Sequence, residues 1–249
     1  MASAVAEVLA GKRTLLVECD CDTPGALDGL LNADRPGLLT PDEAAAMGRW
    51  PDRTSRQRAL VRRAALRQLL GAGLSTMPAQ VPLWHDPSGR PRVGAPGQRD
   101  LLGLSCSSHG AGAVFCLTPG RAVGVDLEAW TACRFAPHLA AHILHKHELE
   151  TFESLPQPLG LRWLAGLWAC KEAWLKAAGT GLALDPRELE LCCPRGASFD
   201  RSGSFLAQCG AADFGGQGML RWEAQRVMAL VLPVQAPSVD RLRLLISPA

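Results

Sequence analysis

Two periods of apolar and polar residues set out the middle of the chain. Over residues 123–128, Val123, Val125 and Leu127 alternate with Gly124, Asp126 and Glu128, a period of two that predicts a strand. Over residues 161–178 the spacing turns helical. Leu164, Leu167, Trp168 and Leu175 share an apolar stripe, Ala177 and Ala178 continue it, and Gly179 is the stop. Upstream, residues 12–19 read as a first strand and residues 24–36 as a loop, with a turn of helix at 25–31. Thr40-Pro41-Asp42-Glu43 is a helix start: an N-cap, a proline in the first turn, then acids. That helix runs towards Trp50, where Pro51 interrupts it. Residues 53–70 form a second helix, with Leu60, Ala64, Leu66, Leu69 and Leu70 towards the core.

Short strands follow at 81–85, 101–107 and 113–117. Asp86-Pro87-Ser88-Gly89 forms a turn, and the small residues from Ser108 to Gly112 form a loop. Residues 137–150 read as one packed helix with a polar face. Beyond Gly181 five strands are predicted at 188–193, 204–209, 218–223, 226–232 and 241–246, antiparallel where the connections are this short. Helices followed by strands in both halves give an α+β fold of two subdomains side by side, residues 1–119 and 120–249. Each is expected to be a small antiparallel sheet packed with helices.

The chemistry gathers on the two periodic segments. Asp126 and Glu128 point to one face of their strand, roughly 7 Å apart. Carboxylates that close repel unless a cation lies between them, and hard oxygen ligands favour Mg²⁺ over zinc. The plain alternative is a half-exposed strand with two solvated acids. On the helix, Trp168, Glu172 and Lys176 are spaced i, i+4, i+8 and share a face, with Lys171 beside them. Here the plain alternative is a surface Glu–Lys pair worth a few tenths of a kcal/mol.

The set Gly124-x-Asp126-x-Glu128, a long spacer, then Trp168-x-x-Lys171-Glu172-x-x-x-Lys176 resembles the 4′-phosphopantetheinyl transferase superfamily, in particular its two-domain, Sfp-like branch. Ser108-His109 stand where the family carries a Ser-His pair, and Gly89-Arg90-Pro91 where it has a Gly-Lys-Pro turn. The resemblance spans about residues 49–183. It implies a pseudo-twofold pair of subdomains. It also implies a holo-[acyl-carrier-protein] synthase activity, moving phosphopantetheine from coenzyme A to a serine of an acyl, peptidyl or aryl carrier protein. Asp126, Glu128 and Glu172 would be the metal ligands, for Mg²⁺ or Mn²⁺. Glu172 and Lys176 would serve catalysis. Arg58, Arg90, Pro91, Ser108, His109, Lys171 and Lys176 would contact coenzyme A, and Glu148 stands where the family often has another acid. The family's upstream lysines are missing: Asp42, Glu43 and Ala44 to Ala46 stand there, which leaves Arg49, Arg53 or Arg56 for the 3′-phosphate.

Composition narrows the rival readings. The 249 residues are 47% hydrophobic, enough for a core, yet no apolar run reaches the length of a membrane span. No basic segment with an apolar stretch and cleavage site opens the sequence, so a cytoplasmic protein is expected. The net charge of +2 does not imply nucleic acid. The arginine-rich 53–67 stretch could bind it, but lacks interleaved aromatic residues. A non-catalytic coenzyme A or nucleotide-binding module on the same fold is the alternative; it would be favoured by loss of a metal acid, and none is lost. Nine cysteines without a C-x-x-C pair fit free thiols in a reducing compartment. Four of the six histidines lie in 137–150, with His138, His142 and His145 near one face. Without an H-E-x-x-H motif, and with Ile143 and Leu144 between them, a packed helix is the reading rather than a transition-metal site. Two subdomains in one chain can complete a site alone, so a monomer is expected.

Overall fold

The computed structural model describes residues 2–23, 25, 37–120, 122–130, 137–193, 198–209, 214, 216–233 and 235–244. Two sheets carry the fold. The first has strand order β11-β1-β5-β4, built from β1 (Thr14–Asp20), β4 (Gly103–His109), β5 (Gly112–Thr118) and β11 (Val239–Leu244). The second has order β6-β10-β9-β8-β7: β6 (Gly124–Ala129), β7 (Leu189–Cys192), β8 (Gly203–Cys209), β9 (Gly216–Trp222) and β10 (Arg226–Pro233). A small hairpin joins β2 (Leu83–His85) to β3 (Pro91–Val93). The expected α+β architecture is present.

Pairing is antiparallel throughout except between β1 and β11, which run parallel with Thr14 opposite Val239 and Cys19 opposite Leu244. Short connections dictate antiparallel neighbours only between consecutive strands. β11 arrives from the other half of the chain and is free of that rule. Glu18 on β1 accepts from Arg221 on β9 and Arg241 on β11 at 2.8 to 3.0 Å, tying the two sheets together.

Alternation along the strands explains the layers. On β1 and β5, Leu15, Val17, Phe115 and Leu117 face one core with α1 (Ala2–Leu9) and α3 (Arg53–Leu74). Leu16, Val114 and Cys116 face the other way and meet Val125, Leu127, Met228 and Leu230 of the second sheet. The outer face of that sheet packs on α6 (Gln157–Ala178) through Leu164, Trp174, Val227 and Ala229. The order is therefore helices, sheet, sheet, helix, and each half has one 22-residue helix. No helix among the described residues is long and apolar enough to cross a membrane.

Local signals account for most element ends. α2 (Pro41–Gly48) starts with a capping box in which Glu43 N donates to Thr40 and Thr40 N donates to Glu43. α3 starts at Asp52, whose carboxylate accepts from Ser55 N at 2.6 Å, and α6 ends at Gly179 with φ +78°. On α3 it is Val61, fully buried, that faces the core; Leu60 is only half-buried. The expected single helix over 137–150 is two, α4 (Pro137–Ile143) and α5 (Lys146–Ser154), because His145 acts as an N-cap. Most of the turn of helix expected at 25–31 and the last two residues of the 241–246 strand lie outside the described residues.

Candidate active site between the two sheets

β4 and β6 lie side by side where the sheets meet, and serine hydroxyls replace a strand ladder. Ser105 Oγ accepts from Val125 N at 3.0 Å and Ser107 Oγ accepts from Leu127 N at 3.2 Å. Two N–H groups on the edge of β6 are thereby satisfied without a backbone ladder to β4. On the other side of β6, Gly124 meets α6. A Cβ at Gly124 would lie 1.7 Å from Ala173 O, so only glycine lets helix and strand approach this closely. That approach brings Glu172 and Lys176 of α6 against Asp126 and Glu128 of β6.

Lys176 Nζ donates to Asp126 Oδ1 at 2.6 Å and to Val125 O at 3.3 Å, and lies 3.9 Å from Glu172 Oε2. Ser107 Oγ donates to the same Asp126 oxygen at 2.9 Å. Asp126 Oδ2 is buried with no hydrogen-bond partner. Burial, with the Asp126 and Glu172 charges added, raises Glu128 to about 7, against the Trp168 indole and Lys176, which favour its ionised form. Burial also raises Glu172, with Asp126 adding to it and Lys176 opposing. Three carboxylates lie near enough to raise one another's proton affinity, beside one lysine and one orphaned oxygen, and two of the three hold protons more tightly than usual. A site of this composition is short of positive charge. The all-oxygen donor set matches a hard divalent cation such as Mg²⁺.

A cleft runs from these acids along β4. One cavity of about 250 Å³ is lined by Ser88, Arg90, Glu172, Lys176 and Leu182. A second, about 340 Å³, is lined by Trp50, Arg62, Arg63, His85 and Ser108. Both include Gly89, Pro91 and Cys106, so they adjoin along a shared wall. His109 is exposed at the end of β4, its Nδ1 3.6 Å from Glu128 Oε2. Ser108 and His109 are strand residues here, and the turn is confined to Gly110 and Ala111.

The structure thus brings together Asp126, Glu128, Glu172, Lys176 and His109, with Arg90, Pro91 and Ser108 along the cleft. Lys171 does not join them. It is fully buried and donates to Ile143 O, Pro186 O and Leu189 O at 2.7 to 2.9 Å, with Glu148 at 2.6 Å. Burial lowers its proton affinity, and Glu148 offsets this. Successive helical residues leave the axis about 100° apart, so Lys171 points away from the face that Glu172 shares with Lys176. Glu148 is spent in the same cluster, accepting from His145 N and Leu191 N at 2.8 Å.

Arg58 forks onto Asp22 instead of facing the cleft, and Arg67 is an interior residue bound to Glu43, Pro78 O and Val81 O. Arg49 and Arg53 are exposed, and Arg56 donates to Gly48 O at 3.3 Å. Besides Arg90, the cleft is lined by Arg62 and by Arg63, which pairs with Glu43 at 3.1 Å; sequence reasoning did not single out these two. No local signal marks them: successive residues of a helix leave its axis about 100° apart, so only the packing of α3 tells which arginines border the cleft. Ser105 and Ser107 were also missed; their alternation with the apolar Leu104 and Cys106 on β4 marked them.

Residues 122–230 match the model of the 4′-phosphopantetheinyl transferase superfamily. Among characterised relatives, the chain is 32% identical over 151 residues to the 4′-phosphopantetheinyl transferase HetI of Nostoc sp., covering 60% of this chain and 63% of HetI. It is 44% identical over 63 residues to a holo-[acyl-carrier-protein] synthase of Streptococcus pyogenes, 24% of this chain and 53% of that protein. The chain thus spans less than two thirds of the length of these curated relatives. A crystal structure of the Thermotoga maritima holo-[acyl-carrier-protein] synthase aligns with 47% of this chain and 63% of its own, at 24% identity and a TM-score of 0.37.

Proposed function

We infer that this chain belongs to the 4′-phosphopantetheinyl transferase superfamily and moves 4′-phosphopantetheine from coenzyme A to a serine of an acyl, peptidyl or aryl carrier protein. The observation that carries the reading is the cluster at the head of the cleft: Asp126 with an unpartnered buried oxygen, flanked by Glu128 and Glu172 and touched by Lys176. Asp126, Glu128 and Glu172 would hold Mg²⁺, or Mn²⁺, which when bound supplies charge neutralisation at phosphoryl oxygens.

The chain's own groups account for the rest. Arg62, beside Arg63, whose charge is shared with Glu43 at 3.1 Å, gives the larger cavity a cationic wall for the anionic nucleotide end of coenzyme A. Arg90, Lys176 and His109 are cations or donors for the pyrophosphate, beside Ser108 and Pro91 on the cleft wall. Glu172 borders the smaller cavity, and its raised proton affinity suits it to take the serine proton. The serine oxygen forms its bond to the β-phosphorus as the phosphorus–oxygen bond to the departing nucleotide breaks. Adenosine 3′,5′-bisphosphate leaves carrying that electron pair.

The proposed subdomains, residues 1–119 and 120–249, have the cleft as their seam, with β11 crossing it. Every group named lies in one chain, which supports a monomer. The seven free cysteines among the described residues support a reducing, cytoplasmic setting. The deciding experiment is the intact mass of an apo carrier protein incubated with the chain, coenzyme A and Mg²⁺. A gain of one phosphopantetheine that chelator prevents is the expected result. No gain across acyl, peptidyl and aryl carriers would overturn the reading.

A further inference from the structure

The break between α4 and α5 gathers a second set of groups, remote in character from the acids of the cleft. His145 caps α5, His147 lies in its first turn, and Glu190 stands on β7. His147 Nδ1 is 2.9 Å from Glu190 Oε1, and His145 Nδ1 is 3.8 Å from the same oxygen. The two imidazoles meet edge to face with centroids 4.9 Å apart. One ligand atom from each of the three residues lies within 4.8 Å of the other two. We propose that His145, His147 and Glu190 form a binding site for a zinc-class transition-metal ion, with solvent in the fourth position.

Distance and chemistry support this together. A tetrahedral ion with bonds of about 2.0 to 2.1 Å separates its ligand atoms by roughly 3.3 Å, and the two measured separations bracket that value. Two imidazoles and one carboxylate suit zinc, nickel or copper and not Mg²⁺. The ligands are also held in place. Leu189 and Leu191 are buried on either side of Glu190, which fixes that strand face outward. His145 N donates to Glu148 Oε2 at 2.8 Å, and Glu148 is anchored by the buried Lys171. His145 and Glu190 are part-buried, while His147 is more than half exposed and leaves an open approach.

Binding requires little rearrangement. The contact from His147 N to His145 Nδ1 is already long at 3.4 Å, so giving it up costs little. The hydrogen bond between His147 and Glu190 is replaced by two bonds to the metal. Binding through Nδ1 leaves each imidazole proton on Nε2. Lys146, beside the site, is exposed and free to turn its charge outward.

The test uses the full chain without an affinity tag, stripped with chelator and titrated with Zn²⁺ by calorimetry, with Mg²⁺ present throughout. One equivalent should bind, and His147→Ala and Glu190→Gln should each weaken it at least ten-fold while the circular dichroism spectrum is unchanged. Zn²⁺ should also raise the melting temperature of the parent protein and not of His147→Ala. Co²⁺ loaded in place of Zn²⁺ should give visible ligand-field bands without thiolate charge transfer. Unchanged zinc affinity in both variants, a thiolate-dominated cobalt spectrum, or no saturable binding would each overturn the proposal. None of these readings depends on phosphopantetheine transfer, so this site and the cleft reading stand or fall separately.

Discussion

Lys176 Nζ lies 2.6 Å from one oxygen of Asp126, while the other oxygen of that carboxylate is buried without a partner. The lysine therefore supplies only part of the charge the acids call for. Replacing Asp126 by Ala should reduce transfer by roughly 10³-fold or more, since it removes a ligand for the charge-neutralising ion. The fold should survive, because Lys176 is partly exposed and can turn to solvent. Mass spectrometry of the carrier, beside a denaturation curve within about 1 kcal/mol of the parent, checks both halves.

The raised affinity of Glu128 for its proton makes stability depend on pH. The folded value of about 7 stands above the ordinary 4.5, so the folded state binds more protons between those limits. Stability in the absence of a divalent cation should therefore fall as pH rises from about 4.5 through about 7, by an amount on the order of 3 kcal/mol. Mg²⁺ competes with that proton. It should raise the melting temperature more at pH 8 than at pH 5, and Glu128→Gln should flatten the difference.

Gly124→Ala tests the seam between β6 and α6. The added Cβ would sit 1.7 Å from Ala173 O, a backbone atom that cannot yield without moving the helix. We expect a loss of about 3 kcal/mol or more in urea unfolding, together with loss of transfer as Glu172 shifts away from Asp126.

Lys171 should behave as an interior residue. Lys171→Met leaves Glu148 buried without its partner and should cost about 3 to 5 kcal/mol. A second change, Glu148→Gln, should recover part of that. The folded fraction should keep its KM for coenzyme A within two-fold, whereas a phosphate-binding lysine would raise it at least ten-fold.

The arginines divide in the same way. Arg62→Ala should raise the KM for coenzyme A several-fold or more, because Arg62 lines the cleft. Arg58→Ala should leave it unchanged, because Arg58 is engaged by Asp22 on the surface. Steady-state kinetics at fixed carrier concentration distinguishes the two.

What could be read in advance was what local periodicity fixes. Asp126 and Glu128 share a strand face, and Glu172 and Lys176 share a helix face. Each pair follows from one element's geometry, and the structure unites them because Gly124 lets the elements touch. Lys171 was misassigned for the converse reason: adjacency in sequence is not adjacency on a helix, and its burial depends on Glu148, 23 positions earlier. Arg58 could not be told from Arg62 and Arg63 without knowing which side of α3 borders the cleft. The helix break at Leu144 was hidden because histidine seldom advertises itself as a cap, and the parallel partner of β1 because it comes from the far end of the described chain.

That last strand has a consequence for how the protein is made. β1, β5 and β4 leave the ribosome long before residues 239–244, so the nascent first sheet must wait with the open edge of β1 unpaired. The waiting edge is a template for pairing with another nascent chain, and the delay lasts while everything between Thr118 and Val239 is made. The order of translation, and not only the final contacts, thus bears on how much of this protein reaches its native form.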